Sequence, residues 1–575
     1  MREYNFTTYN GLFDYISSTY NNPTFLNYLS NGQYKSISTQ DFNEKVICLA
    51  LALQKIGVNK GDTVAIFADS SPFWLIFDFA IHKIGAVSVP IFANISTVNL
   101  NFQIEDANIK HIFIDNEARI KDIHSKEITF ITHNFCIKGE NFYNVDEIFI
   151  ATQATCNVLD LRKESIPNED DIFSIIYTSG NTGTPKGVQL SHKNIINQLY
   201  DITRLIDLKE DETILSLLPL AHIFERTVMS FYLSRGVSVY FVDEIPNVSN
   251  LLKVVRPTMM TVVPRLLEKI FNKIKMGIAQ KGFIGKMIAG SAFEYAMQTN
   301  MDKECFTYKL FDKIVYSKIR AIFGGRIIRL VTGGAPLATE IYQFFDNIGL
   351  NLYQGYGLTE SSPVISTNYP GASKVGSSGK AMPSVEVKLT QDNELLARGD
   401  SIMQGYLNQP ELTTQTVDDE GWLHTGDIAS IDEEGYIFIK SRIKDIYKTS
   451  TGEYVSTIPM EQGLAKNRYI EFATIIANNR QYVTALLFID KERYLADTKY
   501  KQLTIKEYFH REKVLQSIEE TIKEVNTKVN QWEKIIDYTI ITTDISIEGG
   551  ELTPSMKICR AFIEKKYKEI IEEMY

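Results

Sequence analysis

Residues Tyr177-Thr-Ser-Gly-Asn-Thr-Gly-Thr-Pro-Lys-Gly-Val188 carry the densest chemistry in the chain. They continue the apolar run Ile172-Phe-Ser-Ile-Ile-Tyr177, which reads as a buried strand. Thr178, Ser179, Thr182 and Thr184 supply four hydroxyls, and Gly180, Gly183 and Gly187 let the backbone come close to an anion. Lys186 adds a positive charge. Backbone amides, hydroxyls and a lysine on one short turn form a phosphate cradle. The turn is not a Walker A loop, since Pro185 precedes the lysine and Gly187 follows it. A Gly/Ser/Thr-rich surface loop is the plain alternative; the density and order of these groups favour the cradle.

Working outward, the first half of the chain alternates strand and helix patterns. Thr63 to Asp69 reads as a buried strand, Ser70 to Lys83 as a Ser-capped helix, and Ala86 to Phe92 as the next strand. That βαβ unit implies a mostly parallel, covered sheet, to which His111–Asn116 adds another strand. After about Pro370 the texture changes to short strands with turn residues, a small β-rich unit. The C-terminal stretch mixes two apolar strands, around Phe472 and Leu486, with helical spacing from Ile505 to Trp532. The expected fold is α/β: an N-terminal region, 1–441, of two α/β subdomains plus a β-rich subdomain. A hinge over 442–446 then leads to a smaller, mobile α+β domain over 447–575.

Composition bounds the function. With 575 residues the chain has room for about four units at ~150 residues each. A net charge of -10 excludes a bulk nucleic-acid footprint. Five scattered cysteines without a CxxC pair argue against a disulfide framework or a zinc site. The N-terminus lacks the basic and apolar regions of a signal peptide, and the apolar stretch Phe73–Ile95 is broken by Asp78, His82 and Lys83. A soluble, cytoplasmic protein is expected.

The loop resembles the phosphate-binding signature of the AMP-forming acyl-CoA synthetases, luciferases and peptide-synthetase adenylation domains. Other segments resemble that family in the same order. Gly333-Gly-Ala-Pro336 is similar to its segment beside adenine, implying nucleotide contacts at Gly334 and Ala335. Tyr353-Gln-Gly-Tyr-Gly-Leu-Thr-Glu360 is similar to its next signature. By that resemblance Tyr356, between Gly355 and Gly357, packs on adenine, Thr359 bonds the α-phosphate, and Glu360 with Thr178 holds magnesium. An aromatic ring suits a purine face, and a carboxylate suits a hard cation bridging phosphates. Trp422-Leu-His-Thr-Gly-Asp427 matches a further element, implying that Asp427 and Arg442 bond the ribose hydroxyls.

Near the C-terminus the family usually carries Ser-Gly-Lys, whereas this chain has Thr553-Pro-Ser-Met-Lys557. Met556 stands at the glycine position, so Lys557 as the adenylating lysine rests on similarity to the long-chain fatty acid branch. Pro219-Leu-Ala-His-Ile-Phe-Glu-Arg226 and Lys448-Thr-Ser-Thr-Gly-Glu-Tyr-Val-Ser456 resemble the same branch, which would set His222 near the acyl carboxylate. The resemblance implies ATP, coenzyme A and a fatty acid as substrates, magnesium as cofactor, Lys444 at the hinge, and Lys448 turned inward for thioester formation. Transfer to a carrier protein and a non-catalytic acyl- or nucleotide-binding protein are the competing readings. Arg265 to Lys286 carries six cations against Glu268. It reads as the solvated face of a core-packed helix or, alternatively, as a peripheral membrane contact. An oligomer is compatible with everything above.

Overall fold

The computed structural model describes residues 4–152, 161, 166–179, 185–244, 247–299 and 301–575. Thr63–Phe67 and Val87–Ile91 pair in parallel around the helix Pro72–Lys83, as the alternating pattern requires. That helix starts where Ser71 accepts the Trp74 N–H and Pro72 supplies a first residue needing no partner for its nitrogen. The strand Ile172–Ser179 joins the sheet beside Val87–Ile91 and turns back antiparallel into Pro185–Ser191, leaving the predicted phosphate loop between them. Thr178 is level with Lys186 on this hairpin.

A second sheet has a parallel centre of Ser238–Phe241, Thr213–Ser216, Met259–Val262, Arg329–Thr332 and Leu352–Gly357. Antiparallel strands, Gln33–Ile37 and Val364–Thr367, lie toward its two sides. His222 and Gly333-Gly334 follow the C-terminal ends of two of these parallel strands, the usual ligand side of an open α/β sheet. A separate antiparallel sheet follows: Glu386–Leu389, Glu394–Arg398, Leu423–Ile431 and Ile437–Arg442. Beyond it, Ile470–Ile476, Val483–Ile489 and Ile535–Ile541 form a three-stranded sheet covered on both faces by their own apolar clusters.

The expected long helix from Ile505 to Trp532 is two helices, Ile505–Phe509 and Glu512–Asn526, and a short turn at Gln531–Glu533. Arg511 adopts an extended backbone at the break, and its Nε donates to the Tyr508 carbonyl, 2.9 Å away. A shared apolar period does not reveal that interruption. Cys136, Cys305 and Cys559 are free thiols, but Cys48 is disulfide-bonded, against the expectation from the cysteine spacing.

The two α/β layers are joined by a buried ionic cluster. Arg226, on the helix Ile223–Ser234, donates to both oxygens of Asp78 at 3.0 and 2.6 Å and to Ser174 Oγ at 2.8 Å. Arg226 is 1% exposed and Asp78 0% exposed. Arg226 holds the Asp78 carboxyl below its usual range in spite of burial. Removing one partner of such a pair strands a charge and costs roughly 3–5 kcal/mol. Asp78→Ala is therefore expected to lower the unfolding free energy of the N-terminal region by an amount of that order, read by equilibrium denaturant unfolding.

Candidate active site

Two charged groups lie at the two ends of the segment Tyr356–Glu360. The first surrounds Lys186. Its pKa is lowered by burial and by the nearby Lys444 ammonium, and held up by Glu360. The Glu360 carboxylate accepts a 2.8 Å bond from Tyr406 Oη, and the Lys186 ammonium lies 5.4 Å from the Tyr406 ring. Tyr406 belongs to the two-residue strand that pairs with Pro185–Ser191, so it braces the lysine and the carboxylate together. Thr359 precedes Glu360 on one helical turn, half-buried. Gly180, Thr182, Gly183 and Thr184 lie outside the described residues, as does the Ser179 side chain.

The second group centres on Asp427, which is 2% exposed. Tyr356 Oη donates to one carboxylate oxygen at 2.5 Å and Arg442 Nε to the other at 2.9 Å. Asp427 and Arg442 are directly opposite each other on neighbouring antiparallel strands, which fixes the pair in register. Burial still raises the Asp427 carboxyl above its usual range, and burial with the Asp427 charge raises the Tyr356 phenol well above its own. Arg442 is half exposed, leaving part of its guanidinium for a ligand. Tyr356 sits on the strand Leu352–Gly357, flanked by Gly355 and Gly357. A Cβ on Gly357 would fall 1.8 Å from the Pro363 carbonyl oxygen, so only glycine lets the two segments approach. Gly334 and Ala335 are exposed at the rim, with Gly334 in a left-handed conformation (φ 79°).

The C-terminal region reaches this second group through Lys557. Lys557 is exposed as a residue, yet burial around its ammonium, followed by the Arg442 charge, lowers its pKa, while Asp427 opposes the shift. The same ammonium acts on His222: burial and Lys557 push that imidazole down to about 4. His222 Nδ1 accepts the Phe224 N–H at 3.2 Å, so the neutral ring carries its hydrogen on Nε2. Met556 has a φ of 61°, the left-handed conformation in which glycine is unstrained. The chain thus keeps a turn that a glycine would make freely, with Lys557 N–H bonded to Thr553 Oγ at 3.0 Å.

Other contacts join the C-terminal region to the N-terminal one. Asn94 Nδ2 donates to the Pro554 carbonyl at 3.2 Å, Lys466 pairs with Glu340 at 2.5 Å, and Arg265 pairs with Glu471 at 3.0 Å. Arg560, three residues after Lys557, is bonded to Glu461 and to Asp445 beside Lys444, tying the loop to the hinge segment. Sequence reasoning missed Tyr406, Asn94 and Arg560. Arg560 alone had a signal, its closeness in sequence to Lys557. Lys448 lies apart from both groups, exposed on a hairpin with its ammonium 5.6 Å from the Tyr454 ring. The helix Pro264–Ala279 buries Leu267, Phe271 and Ile274 and turns Arg265 and Lys269 toward Glu471 and Glu492.

A family model for the AMP-binding enzymes matches residues 15–407, and one for the AMP-binding enzyme C-terminal domain matches residues 444–575. The chain belongs to the AMP-binding enzyme family. It is 30% identical to the long-chain-fatty-acid–CoA ligase FadD15 of Mycobacterium bovis, covering 95% of this chain and 93% of that one. It is 28% identical to the long-chain-fatty-acid–CoA ligase ACSBG1 of Rattus norvegicus, over 97% of this chain and 84% of that one. Among solved structures, the adenylation domain of a carboxylate reductase from Mycobacterium chelonae superposes with a TM-score of 0.77 at 19% identity. That match covers 99% of this chain and 91% of the other and concerns the fold. Its kinship with the long-chain-fatty-acid–CoA ligases makes ATP and coenzyme A the co-substrates of this chain.

If Asp427 anchors the ribose of AMP, losing its charge-assisted bonds should cost about 1.5–3 kcal/mol, roughly 10- to 150-fold in Kd. Titration calorimetry with AMP on Asp427→Ala checks this expected outcome.

Proposed function

We propose that this chain joins a fatty acid, long-chain by its likeness to relatives of that name, to coenzyme A through an acyl-adenylate. The observation that carries the reading is Lys557: a lysine near the C-terminus stands beside His222 and Asp427 from the N-terminal region and beside Arg442, the residue that follows that region. A cation placed there meets charge that develops between a carboxylate and an α-phosphate.

In this reading Thr178, Lys186 and the phosphate loop bind the triphosphate. Tyr356 presents its ring to adenine, Gly334 and Ala335 line the rim, and Asp427 with Arg442 holds the ribose. Neutral His222 donates from Nε2 to the fatty acid carboxylate and keeps it in line. The carboxylate oxygen attacks the α-phosphorus, the bond to the β-phosphate oxygen breaks, and pyrophosphate leaves. Lys557 and Thr359 stabilise the charge on the α-phosphate during that exchange. In the second half, the coenzyme A thiolate attacks the acyl carbonyl and AMP departs. We assign Lys444 as the pivot between the halves and Lys448 to the surface that turns inward for the second; its position away from the cleft agrees with a later role.

Magnesium fits the oxygen donors of Glu360 and Thr178. Among the described residues no cluster of three or more His, Cys, Asp or Glu could hold a metal ion. A single carboxylate suits magnesium that arrives on the phosphates of ATP and retains water, rather than an all-protein cage. When bound, it would neutralise phosphate charge.

The direct test is AMP and thioester release from ATP, coenzyme A and saturated acids of about two to eighteen carbons. We expect coenzyme A-dependent AMP release that peaks with long chains, since each buried methylene adds ~0.8 kcal/mol. AMP release without thioester would replace coenzyme A with another acceptor.

A further inference from the structure

The helix Pro264–Ala279 has two working sides. Leu267, Phe271 and Ile274 are buried in the apolar cluster that includes Met260 and Leu330 of the second sheet. Arg265, Glu268, Lys269 and Met276 recur at helical spacing and share another side. That side meets the C-terminal region. Arg265 Nη1 donates to the Glu471 carbonyl at 2.9 Å and Nη2 to the Glu471 carboxylate at 3.0 Å. The same guanidinium lies 4.2 Å from the centre of the Phe472 ring. Lys269 Nζ is 3.9 Å from the Glu492 carboxylate, and Arg493 Nη1 is 3.8 Å from Met276 Sδ. Arg265 and Lys269, which the sequence counts among the cations of a solvated face, are thus turned to another part of the chain.

What Arg265 grips is an irregular point in a strand. Along Ile470–Ile476, Ile470 pairs with Ile489 and Phe472 with Phe488, so Glu471 is the extra residue of a bulge. A bulge leaves a backbone group unpaired and re-aims the side chain. Here both the carbonyl and the carboxylate of Glu471 meet the guanidinium. Burial raises the Glu471 carboxyl, and Arg265 is the foremost charge opposing that shift. Phe472, the next residue, packs with Ile558 against the apolar cluster that holds Ile563. Ile558 directly follows Lys557. Packed side chains therefore lead from Arg265 through Phe472 to the lysine loop.

We infer that Arg265 is a positioning residue for acyl-adenylate formation: by holding the Glu471 bulge it keeps Lys557 beside Asp427 and His222. The inference rests on the adenylating role proposed for Lys557. Both partners of the grip are about one-third exposed, and the buried side of the helix does not depend on it. Breaking it therefore displaces the C-terminal region without opening either core. Lys466 with Glu340 and Asn94 with Pro554 act on the same region, so losing Arg265 weakens the step rather than abolishing it.

Comparing the two half-reactions in charge variants of the full chain tests it. ATP–pyrophosphate exchange with a saturated fatty acid reads adenylation, and thioester release from supplied acyl-AMP and coenzyme A reads the second half. Arg265→Ala should slow exchange about three- to tenfold. Arg265→Glu sets two carboxylates together and should slow it roughly tenfold or more. Thioester release and the denaturant midpoint should stay as in the wild type. Arg265→Glu combined with Glu471→Arg should restore part of the lost exchange, which a merely structural role for either residue would not allow. Lys557→Ala is measured alongside. If it lowers exchange alone while the Arg265 variants lower neither half, or both equally, the inference falls and the role of Lys557 stands. If Lys557→Ala lowers both halves equally, that role falls and the inference with it. A loss of exchange that the reversed pair leaves unrestored would likewise overturn the grip on Glu471.

Discussion

The Asp427 carboxylate is the constraint on which the site depends. It is buried, it accepts from Arg442 on one oxygen, and its other oxygen accepts from Tyr356. Through Tyr356 it reaches the last parallel strand of the large sheet. Through Arg442 it reaches the final residue before the segment leading to the C-terminal region. One carboxylate therefore registers the α/β layer, the small antiparallel sheet and the hinge against one another. Lys557 is then delivered to the same place, where Asp427 partly offsets the repulsion from Arg442.

The contacts that hold the C-terminal region in this position have a different character. Asn94 to Pro554, Gln462 to Pro336, Lys466 to Glu340 and Arg265 to Glu471 are polar and partly exposed. Exposed ion pairs are worth about 0–1 kcal/mol each, so the interface is specific without being permanent. Within the C-terminal region, by contrast, Arg560 is bonded to both Glu461 and Asp445. The bonds within the C-terminal region are thus better buried than those it makes to the N-terminal region.

Much of this was legible in the sequence because it depends on local pattern. Strand and helix periods around Thr63 to Ile91 and the turn after Ile172 follow from alternation and capping chemistry, and the resemblance supplied Tyr356, Asp427 and Lys557. What was not legible depends on contacts between distant parts of the chain. Tyr406 meets Glu360 only because a two-residue strand joins the phosphate-loop hairpin. Asn94 meets Pro554 across 460 residues. The Arg511 break interrupts a helix without breaking its apolar period. Met556 was a departure whose physical sense needed the backbone: the residue is left-handed, so the turn survives the loss of glycine at some cost in strain.

The most direct measurement is to separate the two half-reactions of Lys557→Ala. Acyl-AMP formation, followed by ATP–pyrophosphate exchange, should fall by orders of magnitude, as expected for an electrostatic contact worth ~3–4 kcal/mol. Thioester formation from supplied acyl-AMP should be largely spared. Equal loss of both would contradict the account, since it would make Lys557 a structural residue and leave the cleft without its adenylating cation.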